Sequence, residues 1–164
     1  MTAPRQIEEL IQAYAEGPRL LEAAVAGIAP DEMHFSPGPD HWSIHENVVH
    51  VADAELVGTT RMRYVIAQPG STLVAFDQEQ WGRALDYRSQ SLDDALAQFR
   101  ALRRTATGIL RAAPVEAWEQ MGMHAEFGPL TLEQLVEQFA EHVHYHLRTI
   151  AKRRDQYARA RRGG

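Results

Sequence analysis

The sequence predicts an all-α fold, a four-helix bundle. Apolar residues recur at helical spacing through four long stretches. Helix-start signals stand before three of them: Ser43 with Glu46, Ser91 with Asp93 and Asp94, and Thr131 with Gln134. No β-alternation of useful length and no internal repeat occurs in the 164 residues, which are read as one domain, 1–164.

The first stretch runs from Ile7 through Leu10, Ile11, Tyr14 and Leu21 to Ile28. Gly17-Pro18 interrupts it without changing its phase, which predicts one kinked helix ending before Pro30. "SPGPDHW" reads as loop. The second helix starts at the Ser43 box and reaches about Ile66, with apolar residues nearly all round, so it is expected to be well buried. Residues 67–90 then form a long connection between helices two and three. It is longer than joining two bundle helices requires, and it carries Phe76 and Trp81, so it is expected to dock as a lid with Asp77 and Trp81 bordering a pocket. The third helix shows the stripe Leu92, Leu96, Phe99, Leu102, Ala106, Ile109 and stops at Pro114. "AEFGPLT" reads as a turn. The fourth helix presents Leu132, Leu135, Val136, Phe139, Val143, Leu147 and Ile150 on one face. Its basic end, from about residue 153, is expected to fray.

Composition excludes several chemistries. There is no cysteine, hence no disulfide, no thiolate ligand and no cysteine nucleophile. A net charge of −5 argues against nucleic acid as a partner. Without a long apolar run or a signal-like N-terminus, no membrane partner is expected and a cytoplasmic location is.

The segment "EHVHYHL", 141–147, holds three of the eight histidines. At about 100° per residue His146 falls within the apolar stripe and His142 at its edge, i and i+4 on one face. His144 falls on the polar side with Glu133 and Glu141. Two imidazoles at this spacing can share a metal at ~2.0–2.1 Å. The pair alone fits hydrogen-bonded core residues equally well. A third ligand is sought in "HENVVH". His45 and His50 are i and i+5, about 140° apart, so the zinc-protease pattern H-E-x-x-H is not met. His50 alone is the better candidate, on a face shared with Glu46, Asp53 and Val57. Glu46 or Asp53 is expected to orient its imidazole; the alternative is that these carboxylates pair with arginines such as Arg61. His34, His41 and His124 read as loop or surface residues, with His41 near the pocket mouth.

These residues, in this order, resemble the DinB-like superfamily and its YfiT-type branch. The likeness spans about Pro4 to Arg153 and includes "WSIHENVVHVADAE", "AFDQEQWGRALDY" and "HAEFGPLTLEQLVEQFAEHVHYHLRTI". The resemblance implies one divalent metal on His50, His142 and His146. It also implies departures: Tyr145 stands where members often carry a second histidine, and Asp40-His41-Trp42 replaces a usual Gly-Gly-Trp, placing Trp42 at the pocket rim. A three-histidine site keeps coordination positions open, unlike a four-ligand structural zinc site. Zinc is the first expectation, with nickel, iron or manganese compatible with imidazole.

Three functions follow from the resemblance. The first is transfer of a low-molecular-weight thiol, such as bacillithiol or mycothiol, to a small-molecule electrophile. The second is metal-dependent hydrolysis. The third is a non-catalytic metal-binding bundle in stress response. A homodimer is expected as well, from the broad apolar face of the second helix and from the resemblance.

Overall fold

The computed structural model describes residues 4–163. Its first arm is a helix pair, α1 (Pro4–Ala15) and α2 (Gly17–Val25). Glu16 between them keeps helical angles, φ −70° and ψ −18°, so the arm is continuous but kinked. The kink sits where Pro18 has no N–H to give. Pro30, expected only to follow the arm, opens a one-turn helix, α3 (Pro30–Met33). The second arm is α4 (Ile44–Ala67), started by the Ser43 capping box: the Ser43 hydroxyl accepts from Glu46 N, and the Glu46 carboxylate accepts from Ser43 N.

The connection that follows is not a plain loop. It contains a short helix, α5 (Gln78–Ala84), whose N-cap is Asp77. The third arm is α6 (Leu92–Ala112), capped by Ser91, followed by the 3-10 turn Val115–Glu119. The all-α bundle carries one small addition, where "AEFGPLT" reads as a plain turn. β1 (Met121–His124) and β2 (Gly128–Thr131) form an antiparallel hairpin, with Met121 opposite Thr131 and His124 opposite Gly128. Strands of four residues are too short to display alternation, and Gly128 at φ 72° makes the return. Leu73 N donates to Met123 O at 2.9 Å and Met123 N to Ser71 O at 2.9 Å, so the connection after α4 lies alongside the hairpin. A Cβ on Gly122 would sit 2.4 Å from Leu73 Cδ2, which is why this strand position is glycine.

The last arm is α7 (Leu132–Arg162), opened by the capping box of Thr131 and Gln134. Its end does not fray as expected. Arg154 pairs with Glu32 at 2.9 Å, and the Tyr157 hydroxyl donates to Asp31, so α3 holds it down. Arg159, Arg161 and Arg162 in the last turn also suit the negative end of the helix dipole.

In the bundle, α4 packs on α6 and α7, and α1 and α2 pack on the same two helices. α4 approaches α7 closely at Gly58, where a Cβ would lie 2.4 Å from Phe139 Cε1. That approach brings His50 and the histidines of α7 together. No helix among the described residues is long and apolar enough to cross a membrane.

Candidate metal centre

His50 on α4 meets His142 and His146 on α7. The Nε2 atoms of His50 and His142 are 3.1 Å apart, as are those of His142 and His146. Among the described residues this is the one group of three potential metal-ligating side chains drawn together. Two nitrogens at ~2.0–2.1 Å from one ion, at ligand angles of about 90–110°, lie about 2.9–3.4 Å apart. The observed spacing fits.

The proton positions fit as well. Asn47 Nδ2 donates to Ser43 O at 2.7 Å, which turns its carbonyl toward α7. There His146 Nδ1 lies 2.8 Å from Asn47 Oδ1 and donates to it. Nε2 of His146 is therefore the lone-pair nitrogen, facing its two neighbours. Burial, reinforced by the neighbouring imidazoles, holds His50 down to about 2. Burial and then His142 hold His146 at about 3; burial and then Arg103 hold His142 at about 4. All three are neutral near pH 7, the form that ligates a metal. Three imidazole nitrogens converging at this distance can share a proton or a cation, and a donor set of three neutral imidazoles suits a divalent ion.

Aromatic rings cover His50. Trp42 packs against it with centroids 4.8 Å apart, and Phe76 stacks on it at 5.9 Å and 9° between planes. Trp81 meets Phe76 edge-on at 4.9 Å. The cluster opens on two sides. One is a cavity of about 560 Å³, lined by His50, Phe76, Asp77, His124, Phe139 and His142 among others. The other, of about 330 Å³, touches Trp42, Asn47, His142, Tyr145, His146 and Arg153. His142 lies on both.

The structure thus brings together His50, His142, His146, Trp42 and Asp77, with Trp81 behind Phe76. His144 is exposed, on the far side of α7. Glu46 and Asp53 do not orient His50. The Glu46 carboxylate is held by Ser43 N and Oγ at 2.9 and 2.7 Å. Asp53 turns toward Gln98 on α6, and neither acid pairs with Arg61, which donates to Val74 O instead. His50 Nδ1 is buried without a partner. The histidine that α4 does orient is His146, held by Asn47, which lies on the same face of α4 three residues before His50; its signal was that spacing and its amide, which can both donate and accept. His124 also departs from its surface reading: it lines the larger cavity, as does Arg61.

Comparison with known proteins places these features. The family model described as the DinB superfamily matches residues 13–150. A protein of Oceanobacillus iheyensis named "Putative metal-dependent hydrolase" is 23% identical over 152 residues, covering 91% of this chain and 88% of its own. One of Geobacillus thermodenitrificans with that name is 27% identical over 90 residues, covering 55% and 51%. Among solved structures, YfiT from Bacillus subtilis, described as "a probable metal-dependent hydrolase with an unusual four-helix bundle topology", superposes with a TM-score of 0.88 at 19% identity, over 96% of this chain and 91% of that one. A mycothiol-dependent maleylpyruvate isomerase superposes with a TM-score of 0.70 at 12% identity, over 90% and 62%. The fold is the YfiT-like four-helix bundle, and the chain belongs to the DinB superfamily.

Proposed function

We propose that this protein is a metal-dependent enzyme that uses a small thiol to attack a small electrophilic substrate, with His50, His142 and His146 as the metal ligands. The observation that carries this reading is the convergence of three neutral Nε2 atoms beside two cavities that meet at His142. Two approaches to one centre suit two reactants. The mycothiol-dependent isomerase of similar fold supports the thiol. A divalent ion bound there would lower the pKa of a coordinated thiol or water and so supply a nucleophile near neutral pH.

The chain's own residues hold and shield that centre. Asn47 fixes the His146 ring and tautomer. Trp42 and Phe76 keep water from the faces of His50, and Asp77 anchors the start of α5 beside the larger cavity. In the reaction, a bond forms between the thiol sulfur and an electrophilic carbon. The leaving group departs with the bonding pair, and the thiol proton passes to solvent. The cytoplasm, where small thiols are kept reduced, is the compartment this reading requires. Zinc is the expected ion, on a donor set that also accepts nickel, iron or manganese.

A second reading, hydrolysis by an activated water, is favoured by the names of the relatives. Metal analysis of protein purified without chelator or nickel resin comes first. A panel of thiols with chlorodinitrobenzene then tests the main reading: metal-dependent, saturable thiol loss with chloride release is expected. Ester cleavage without thiol would replace this reading by the second. A tightly held ion with no activity of either kind would leave a metal-binding bundle.

A further inference from the structure

Arg61 lines the same cavity as His50, and it is only 5% exposed. Its Nε and Nη2 both donate to one backbone oxygen, that of Val74, at 3.0 and 2.8 Å. Among the described residues no carboxylate lies within ion-pair distance of it. The contrast with Arg103, 1% exposed, is direct: Arg103 has Glu55 at 2.7 Å. A buried guanidinium facing only a neutral carbonyl keeps an uncompensated charge, which is costly in a site with no further use. The acid whose field reaches Arg61 is Glu126, exposed at the hairpin tip.

His124 stands in the same wall. Its Nδ1 accepts from Glu126 N and Phe127 N at 3.2 and 3.4 Å, which leaves Nε2 as the donor of the neutral ring. The cavity therefore has metal-ligating nitrogens at one end and a buried cation with an imidazole donor at the other.

We propose that the substrate taken into this cavity carries a carboxylate, bound by Arg61 while its reacting end lies at the three histidines. This rests on the cavity being the substrate site of the proposed enzyme. Arginine suits the task because its planar fork still has N–H groups to offer after serving Val74. Eleven residues of α4 separate Arg61 from His50, about 16 Å of rise. An arginine leaning toward the helix N-terminus covers part of that. The remainder suits a ligand several bonds long rather than one the size of acetate.

The test is calorimetric titration of the protein, with and without zinc, by α,ω-dicarboxylates from glutarate to suberate and by their monoamides. Each monoamide keeps one carboxylate, so any attraction to the zinc is common to both. At one preferred length the diacid is expected to bind about tenfold tighter than its monoamide, the size of one charge-assisted contact. In Arg61→Gln that ratio should fall to about one, and Arg61→Lys should restore part of it. A residue that only pinned Val74 would, when replaced, weaken diacid and monoamide alike. A ratio of one at every length in the unaltered protein overturns the proposal without recourse to a variant, as does a ratio retained in Arg61→Gln. Failure of the thiol chemistry would appear instead in the thiol-consumption assay, which this titration does not read.

Discussion

His50 and Glu55 stand five residues apart on α4, both 1% exposed, each at the heart of a buried polar cluster. Their surroundings differ in kind. Glu55 takes the Arg103 guanidinium at 2.7 Å and the Tyr14 hydroxyl, and Arg103 also donates to Tyr14 O and Phe139 O. Charge meets opposite charge, and the group ties α1, α4, α6 and α7 together. Around His50 the neighbours are like donors, one fixed by Asn47, and the cluster borders two cavities. The brace closes on itself; the histidine cluster, in the function proposed above, is completed by a metal ion. Burial alone therefore does not separate structural from functional polar groups. Complementarity does.

The sharpest way to break this contrast is to remove one ligand. His50→Ala or His146→Ala should abolish stoichiometric metal, while His144→Ala should keep it, as read by elemental analysis of the folded protein. Loss of metal in His144→Ala with retention in His146→Ala would overturn the assignment.

Acid probes the same cluster. Burial holds the three imidazoles well below the ordinary histidine value, at about 2, 4 and 3 for His50, His142 and His146. The unfolded chain therefore takes up protons near pH 6.5 while the folded protein does not. Stability of the metal-free protein should be fully present above that pH and fall as pH drops through 6.5 toward 4, by up to about 1.4 kcal/mol per pH unit per histidine. Urea titrations across this range check it. In His50→Ala the fall should be shallower by about one histidine's share.

The brace should respond in the opposite currency, that of folding rather than metal. Arg103→Met leaves Glu55 buried without its cation and should cost about 3–5 kcal/mol of stability. Metal per folded molecule should be unchanged. If Arg103→Met strips the metal while the protein stays folded, the two clusters are one unit and the contrast fails.

Asn47→Ala is the finer cut between them. It leaves three ligands in place but frees the His146 ring and tautomer, and metal affinity should fall by about 10- to 100-fold. Competition with a chelator of known affinity reads this. An unchanged affinity would make the Asn47 contact incidental.

How much of this was legible in the sequence depended on the range of the interactions. The capping boxes at Ser43 and Thr131 are local hydrogen bonds, and their spacing announces them. His142 and His146 share a face by arithmetic on one helix, and His50 was selected by its face on another. Asn47 went unnoticed because its partner lies 99 positions away and its orientation is set by a backbone carbonyl. Glu46 was misassigned because the same side chain that could have reached His50 was already committed to the cap. The pairing of Glu55 with Arg103 depends on two helices meeting, as does the place of Arg61 and His124 at one cavity. The hairpin that brings His124 there is made of strands too short to leave a pattern. The basic end of α7 looked free only because Asp31 and Glu32, its counter-charges, stand more than a hundred residues earlier.

The smallest effect is expected from the connection, and it tests whether the cavity wall belongs to the site or to the scaffold. Trp81 makes no ring contact with the three histidines among the described residues. It meets Phe76 edge-on, and Phe76 stacks on His50, so Trp81 acts through Phe76 as a positioning residue. The side of α5 next to it is equally close-packed, since a Cβ on Gly82 would lie 3.2 Å from Trp42 Cζ2. Trp42 in turn covers the other part of His50. Truncating Trp81 should loosen one ring over the centre while leaving the three nitrogens in place. An edge-to-face aromatic pair contributes about 0.5–1.5 kcal/mol beyond its buried area, so Trp81→Ala should weaken ligand binding about two- to tenfold. Metal content should remain stoichiometric. The readout is the dissociation constant of the preferred dicarboxylate on zinc-loaded protein beside the thermal midpoint. A lowered midpoint with unchanged affinity would show that α5 only packs on the bundle, and that the segment borders the cavity without shaping what binds in it.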